Sequence, residues 1–291
     1  MPMQITPCVL CYGPFPRLHL RVLTSLAEAV EKDEGSVVRS VRIGLSRTTP
    51  ATEQRILPSI VQRLLRARVA VSVFRFFWFG DTAYKYPAMR TMLYASRQGV
   101  IQDVALWMDD DSFLQPQDNW FSKTADWLGG REFGCAGTLY KFSPTLQQRK
   151  FIRKQQWCSP DVEFVENRVF VQGGFQLLRM QAVTSIGWPW YNLRHCGGDS
   201  LLGEALAHAK LPVLAYTDGY TTNADLSGES NSSKRRGYSE LPLGAVENDM
   251  YALNDKQHAP HYDMVYHESV FDKYTVGFSA ESLRWVPPEG V

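Results

Sequence analysis

Apolar and polar residues alternate in blocks along the first 110 residues, and the blocks predict strands and helices in turn. Four short apolar runs have the length and composition of buried strands and cover residues 8–12, 41–45, 69–74 and 104–108. Apolar residues at helical spacing predict intervening helices at 18–30, 51–66 and 88–96. Strands joined by crossover helices predict a parallel sheet with right-handed connections.

The second half of the chain is less regular but continues the mixed α/β pattern. Further strands are predicted at residues 133–139, 169–171, 176–178 and 213–216, with a helix at 201–209. Gly173 and Gly174 indicate a close backbone approach or an unusual turn. Residues 223–237 are rich in Ser, Gly, Asn and charge, which predicts a mobile loop. With no internal repeat and no linker, a single α/β domain is expected.

Composition narrows the class of protein. A chain of 291 residues with 44% hydrophobic residues can bury a large core, and a net charge of +1 neither favours nor excludes a polyanionic partner. The five cysteines are scattered and odd in number, so we expect reduced thiols. No signal peptide opens the chain and no apolar window is long enough for a membrane span. These features predict a cytoplasmic protein, in the host cytoplasm if the chain is viral.

Three successive carboxylates, Asp109, Asp110 and Asp111, directly follow the fourth predicted strand. Ligands of open α/β sheets bind beyond the carboxyl ends of the strands. Neighbouring carboxylates repel one another unless a cation shares them, which favours a bound divalent metal. In an extended chain Asp109 and Asp111 would project from the same side and hold Mn2+ or Mg2+. The alternative is a solvated turn that caps the next element.

The order of these elements, followed by Gly173-Gly174-Phe175, Gly187-Trp188-Pro189 and Gly198-Asp199-Ser200, resembles the GT-A fold of nucleotide-sugar glycosyltransferases. It is most similar to the large family 2 type over about residues 5–220. The resemblance implies a mostly parallel, Rossmann-like central sheet flanked by helices. Residues 1–112 would form the nucleotide-sugar donor half, and residues 113–291 the acceptor-binding and catalytic half. The family often has Glu-Asp where this chain has Gly198-Asp199.

The implied reaction moves a sugar from a nucleoside diphosphate sugar, with a UDP-sugar expected, to an acceptor hydroxyl. A metal on Asp109 and Asp111 would stabilise the departing diphosphate, and the resemblance implies that His267, or else His261, completes its shell. Asp199 is the expected general base, with inversion at the anomeric carbon. A helix N-cap is its ordinary alternative, and a retaining enzyme would leave it holding sugar hydroxyls instead.

Other residues are assigned to the two substrates. The predicted donor contacts are Tyr12, Gly13, Ser46, Lys85 and Asp110. The predicted acceptor contacts are Gly174, Trp188, Trp190 and Tyr191. Aromatic faces suit sugars and nucleobases alike, but core packing is the ordinary alternative for these aromatic residues. A lysine at a helix start, such as Lys85, is commonly just solvated.

The acceptor predicted first is a hydroxymethylpyrimidine in duplex DNA, as in viral enzymes that modify their genomes. The basic run Lys234, Arg235 and Arg236 would contact phosphates, and the aromatic loop would hold a flipped base. A saccharide, a lipid-linked sugar and a protein side chain stay open as acceptors. Two other classes also stay open, a metal-dependent nucleotidyl- or phosphotransferase and a non-catalytic sugar- or nucleic-acid-binding module. The chain has no G-x-x-x-x-G-K-[ST] loop to cradle a phosphate.

Overall fold

A computed structural model describes residues 3–13, 15–35, 37–76, 85–95, 99–143, 146–154, 158, 163–190, 198–222 and 275–278. The strands are β1 (Ile5–Tyr12), β2 (Ser40–Ser46), β3 (Ala70–Phe76), β4 (Val104–Asp109), β5 (Phe113–Leu114), β6 (Cys135–Gly137), β7 (Leu139–Phe142), β8 (Arg168–Val171), β9 (Phe175–Arg179), β10 (Val213–Ala215), β11 (Tyr220–Thr221) and β12 (Thr275–Phe278). The helices are α1 (Pro16–Glu31), α2 (Leu57–Arg66), α3 (Lys85–Tyr94), α4 (Trp120–Leu128), α5 (Leu146–Arg153), α6 (Met180–Ser185) and α7 (Gly198–His208), and a π-helical segment, Ala51–Ile56, leads into α2.

The central sheet has the strand order β10-β6-β9-β4-β1-β2-β3-β12. Strands β3, β2, β1 and β4 run parallel to one another, and β10 runs parallel to β6. Strand β9 is antiparallel to β4 and β6, and β12 is antiparallel to β3. Two antiparallel ribbons, β5 with β11 and β7 with β8, lie outside this sheet. The predicted α/β fold with a mostly parallel central sheet flanked by helices is confirmed.

Both faces of the sheet are covered, which explains why β4 is apolar at successive positions. Val104, Leu106 and Met108 belong to one core cluster, and Ala105 and Trp107 belong to another. Successive side chains of a strand point to opposite faces, so a strand buried on both faces needs an uninterrupted apolar run. Helices α1, α2 and α4 contribute to the first cluster, and α3, α6 and α7 contribute to the second.

Several predicted elements differ in detail from the structure; β1, for example, starts at Ile5, three residues before the predicted strand. The helix predicted at 51–66 starts with π-helical turns before α2. The helix predicted at 88–96 starts earlier, at Lys85. The single strand predicted at 133–139 is two strands, because β6 pairs in the central sheet whereas β7 leaves it and pairs with β8. The predicted loop at 223–237 lies outside the described residues. Among the helices that the structure describes, none is long and apolar enough to cross a membrane.

Candidate active site at the carboxyl ends of the central strands

The three carboxylates lie where β4 ends, between β1 and β9 in the middle of the sheet. The Asp109 N–H donates to the Gly174 carbonyl across β9 (2.9 Å), and the Ser112 N–H donates back to the Asp109 carbonyl (3.0 Å). The chain therefore turns at Asp110 and Asp111. This corrects the extended geometry from which a shared orientation of Asp109 and Asp111 was predicted, because a turn rotates successive side chains differently from a strand.

Lys85 brings a cation to the end of β4. Its ammonium donates to Asp109 Oδ2 (2.6 Å) and to the Gly173 carbonyl (2.7 Å), while the Trp107 indole N–H donates to Asp109 Oδ1 (2.9 Å). The Lys85 side chain is 13% exposed and that of Asp109 is 24% exposed. This partial burial strengthens the ion pair relative to one at the open surface. The ordinary alternative for Lys85, a solvated lysine at a helix start, is therefore wrong, and its assignment to donor binding stays a prediction.

Asp199 contacts the other backbone polar group of Gly173, its N–H. In the first turn of α7, its Oδ2 accepts the Gly173 N–H (3.2 Å) and its Oδ1 accepts the Ser200 N–H (2.9 Å). Desolvation by burial raises the pKa of Asp199, and the positive charge of Lys85 and these backbone donors oppose that rise. Lys85, Gly173 and Asp199 thus form one connected chain of polar contacts that ends at Asp109.

Gly173 allows this convergence. A Cβ atom at Gly173 would lie 3.1 Å from Lys85 Nζ and 3.2 Å from Asp199 Oδ2. Any side chain there would push apart the lysine and the carboxylate. The close backbone approach predicted from the glycine pair is confirmed. Gly174 contributes its carbonyl, which accepts the Ser112 hydroxyl (2.8 Å) as well as the Asp109 N–H.

Asp110 lies in a different environment from its neighbours, since its side chain is only 1% exposed. Its Oδ2 accepts the Tyr12 N–H (3.1 Å) and lies 3.3 Å from His19 Nε2. The other nitrogen of His19, which is fully buried, lies 2.8 Å from the Thr52 hydroxyl. This corrects the assignment of Asp110 to donor binding, because its carboxylate is enclosed among protein groups. We call Asp110, His19 and Thr52 the buried anchor.

His19 and Thr52 were missed by the sequence reasoning, although each carries a signal. His19 lies between Leu18 and Val22 on the buried face of α1, where a polar residue needs a hydrogen-bonding partner. Thr52 is the buried residue of the π-helical segment, a geometry that often marks functional sites. The partners were not visible, because 33 residues separate His19 from Thr52.

The remaining donor positions lie beside the anchor at the ends of β1 and β2. The Gly13 N–H donates to the Ser46 carbonyl (2.8 Å), and Gly13 has a φ of 75°, which favours glycine. Tyr12 is partly exposed, whereas the Ser46 side chain is fully buried. Tyr12 is therefore the residue of this group that is accessible at the edge, whereas Gly13 is buried and the Ser46 hydroxyl is enclosed.

The acceptor positions are only partly described. Trp188 is 0% exposed and packs edge-on against the Tyr86 ring, with ring centroids 5.8 Å apart. Trp190 is buried too, and its indole N–H donates to the Ile186 carbonyl (2.9 Å). Both tryptophans therefore pack in the core, which is the ordinary alternative to the predicted acceptor contact. Six further predicted positions lie outside the described residues, namely Tyr191, Lys234, Arg235, Arg236, His261 and His267.

The residues at this edge fit a divalent metal only if water and substrate supply part of its coordination shell. Within the described part of the chain, no three side chains of the metal-binding types come together. Asp109 and the partly exposed Asp111 offer hard carboxylate oxygens, the ligands that Mg2+ and Mn2+ prefer. Mg2+ sites commonly use one or two carboxylates and complete the shell with water and substrate phosphates. Two protein carboxylates are therefore compatible with a metal that arrives with a diphosphate.

Comparisons with known proteins find similarity in structure alone. No family model and no curated protein matches the chain. Among solved structures, it is similar to the mannosyltransferase PcManGT from Pyrobaculum calidifontis in complex with GDP-Man and Mn2+, with 14% identity, a TM-score of 0.43, and coverage of 75% of this chain and 57% of that one. It is also similar to S. aureus TarS 1-349 in complex with UDP-GlcNAc, with 12% identity, a TM-score of 0.46, and coverage of 88% and 74%.

A third similar structure is a putative glucose-1-phosphate thymidylyltransferase from Bacillus anthracis, with 12% identity, a TM-score of 0.44, and coverage of 84% of this chain and 99% of that one. The chain spans only 43% of a longer TarS chain. All these TM-scores are below 0.5, and the fold is therefore established by the strand order and register of this chain.

The buried anchor leads to a prediction about stability. Replacing Asp110 by Ala leaves the Tyr12 N–H and His19 without their shared acceptor, which should lower the free energy of unfolding by about 1–3 kcal/mol. Urea denaturation measures the difference. Asp118, whose side chain is 80% exposed, provides the matched control, and Asp118→Ala should change stability by less than about 0.5 kcal/mol. Equal effects of the two substitutions would contradict the anchoring role.

Proposed function

We propose that this protein transfers a glycosyl group from a nucleoside diphosphate sugar to an acceptor hydroxyl. The observation that carries the proposal is the contact chain Asp109–Lys85–Gly173–Asp199 at the carboxyl ends of the central strands. It combines a cation, strand-end carboxylates and a second carboxylate with a raised pKa. Glycosyl transfer needs these functions together, since negative charge grows on the diphosphate while a proton leaves the acceptor.

The donor end of the proposed site lies at Asp109, Asp111 and Lys85. Asp109 and Asp111 would hold Mn2+ or Mg2+, with His267 as the proposed further ligand, and the metal would supply Lewis-acid charge to the diphosphate. The Lys85 ammonium adds a positive charge held in place by Asp109 and Gly173. Tyr12 and Gly13 would receive the nucleoside at the ends of β1 and β2. A UDP-sugar stays the proposed donor.

Asp199 is the proposed general base. Burial disfavours its charged form, which makes the carboxylate a stronger proton acceptor than a solvated aspartate. The positive charge of Lys85 opposes this rise in the pKa of Asp199. Asp199 would remove the proton of the acceptor hydroxyl as that oxygen attacks the anomeric carbon, and a single base acting this way gives inversion. Gly174, Trp188, Trp190 and Tyr191 stay proposed acceptor contacts; the two indoles would need to move to serve.

Donor binding is tested by thermal shift with UDP-GlcNAc and GDP-mannose, each with and without Mn2+. A ligand that binds only the native state raises the melting temperature, so we expect a rise that is larger with Mn2+. Asp111→Asn should reduce the rise, whereas Asp118→Asn at the exposed control position should leave it unchanged. The proposal fails if no nucleotide sugar shifts the wild-type transition. Release of sugar 1-phosphate instead of nucleoside diphosphate would indicate nucleotidyl transfer.

The role of Asp199 is tested through turnover and pH. Asp199→Asn should lower kcat by about 10²–10⁴-fold with little change in donor binding, because it removes the base while the amide keeps the size of the side chain and one of its two accepted hydrogen bonds. Since the base must be deprotonated, activity should rise with pH through a pKa above the ordinary aspartate value of 3.8. Lys85→Gln removes the charge that lowers the pKa of Asp199, and should move this acidic limb to higher pH. An acidic limb of the Lys85→Gln profile that stays at the wild-type pH, or moves to lower pH, would contradict the assignment of Asp199 as the base.

A hydroxymethylpyrimidine in duplex DNA stays the proposed acceptor. The support in the described residues is charge, since Lys150, Arg153 and Lys154 on and after α5 are exposed. Lysine and arginine side chains that contact DNA phosphates displace the counterions bound to the DNA. Binding to duplex DNA should therefore weaken steeply as the salt concentration rises. Fluorescence anisotropy across a salt series measures the slope. Absence of binding at low salt would exclude DNA and favour a saccharide, lipid-linked sugar or protein acceptor.

A further inference from the structure

A second group of reactive side chains lies away from the candidate active site, at the far end of α7. Cys158 Sγ lies 3.5 Å from His208 Nδ1, and His208 Nε2 lies 3.1 Å from Glu204 Oε1. Glu204 in turn accepts two hydrogen bonds from Arg168. The Arg168 Nε–H donates to Glu204 Oε2 (2.9 Å), and Arg168 Nη2 donates to Glu204 Oε1 (3.2 Å). Nine residues of helix, about 13 Å, separate Asp199 from His208. The group is therefore distinct from the site proposed for glycosyl transfer.

The contacts fix the tautomer of His208. The two-pronged contact with Arg168 favours an ionised Glu204, whose side chain is only 1% exposed. An ionised carboxylate only accepts hydrogen bonds, so His208 Nε2 carries the proton and donates to Glu204. Nδ1 of a neutral imidazole is then the acceptor, and the Cys158 thiol donates to it. The ring has one orientation, since its side chain is fully buried and packs against Phe164.

Cys158, His208 and Glu204 have the arrangement that activates a nucleophile. The thiol lies beside a base, and a carboxylate orients that base. Desolvation by burial raises the pKa of Cys158, and Arg153 opposes the rise while Glu204 adds to it. The resting sulfur is therefore a thiol, which reacts only if a base takes its proton. A shared metal is a poorer explanation, because the sulfur and the Glu204 oxygen contact opposite nitrogens of the ring.

We propose that Cys158 is a nucleophilic thiol activated by His208 and Glu204, and that it forms covalent adducts with small uncharged electrophiles. With iodoacetamide as the probe, a bond forms between Sγ and the methylene carbon. The carbon–iodine bond breaks, and iodide leaves with the electron pair. The thiol proton moves to His208 Nδ1 and then to solvent, while Glu204 stabilises the imidazolium.

The test measures the alkylation rate of each cysteine in the folded full chain by peptide mass spectrometry. Among the four cysteines in the described part of the chain, Cys158 is the one that is partly exposed, so it should be labelled before Cys8, Cys11 and Cys135. Cys8, Cys11 and Cys135 are buried and should stay unlabelled; burial raises the pKa of Cys8 to about 12. His208→Gln keeps a polar side chain but removes the base, and should slow labelling of Cys158 about tenfold or more. Glu166→Gln changes an exposed carboxylate near α5 and should leave the rate unchanged.

A second measurement uses the wild-type protein alone, in case His208→Gln does not fold. At about pH 6.5, below the ordinary thiol pKa of about 8.5, an unassisted thiol such as glutathione reacts slowly. Cys158 should react faster than glutathione, although it is partly buried. A Cys158 slower than glutathione, or a rate unchanged by His208→Gln, would overturn the proposal. Neither result depends on whether the protein transfers sugars.

Discussion

The Lys85 ammonium is the interaction on which the candidate active site depends. Carboxylates at one edge of a sheet repel one another, and their convergence requires a positive charge that is close and partly shielded from water. Lys85 meets this requirement from the start of α3, where it contacts Asp109 and the Gly173 carbonyl. Burial raises the pKa of Asp199, and the same positive charge opposes that rise. One cation therefore acts on both Asp109 and Asp199.

Three consecutive aspartates have three different environments. Asp109 is paired with Lys85, Asp110 is enclosed by Tyr12 and His19, and Asp111 is partly exposed at the turn. The buried anchor holds the turn in place, since its hydrogen bonds connect the end of β4 to β1, α1 and the π-helical segment. A ligand approaching this edge would therefore meet Asp109 and Asp111, with Asp110 serving as the support between them.

Helix α7 carries two sets of chemical groups. Its first turn presents Asp199 to Gly173, and its last turn presents His208 to Cys158. The apolar residues between them, including Leu201, Leu202 and Ala205, belong to the core. Packing of these residues in the core thus positions both ends of the helix. Position matters for the two proposed bases, because general-base catalysis requires the base to lie within hydrogen-bond reach of the proton that it takes.

The sequence by itself determined most strands of the central sheet, four of the helices and the place of the main motif. Hydrophobic periodicity is a local property, so it predicted these elements, the carboxylates at the end of β4 and the close approach at Gly173, but not helices α4, α5 and α6 or strands β5, β11 and β12. Tertiary structure alone decided the antiparallel direction of β9, the contact of Lys85 with Asp109, the burial of Asp110 and Trp188, and the pairing of Cys158 with His208. These contacts join residues 24 to 98 positions apart, or depend on which face of an element is covered. A pattern read over a few turns or one strand contains no information about a partner at that distance.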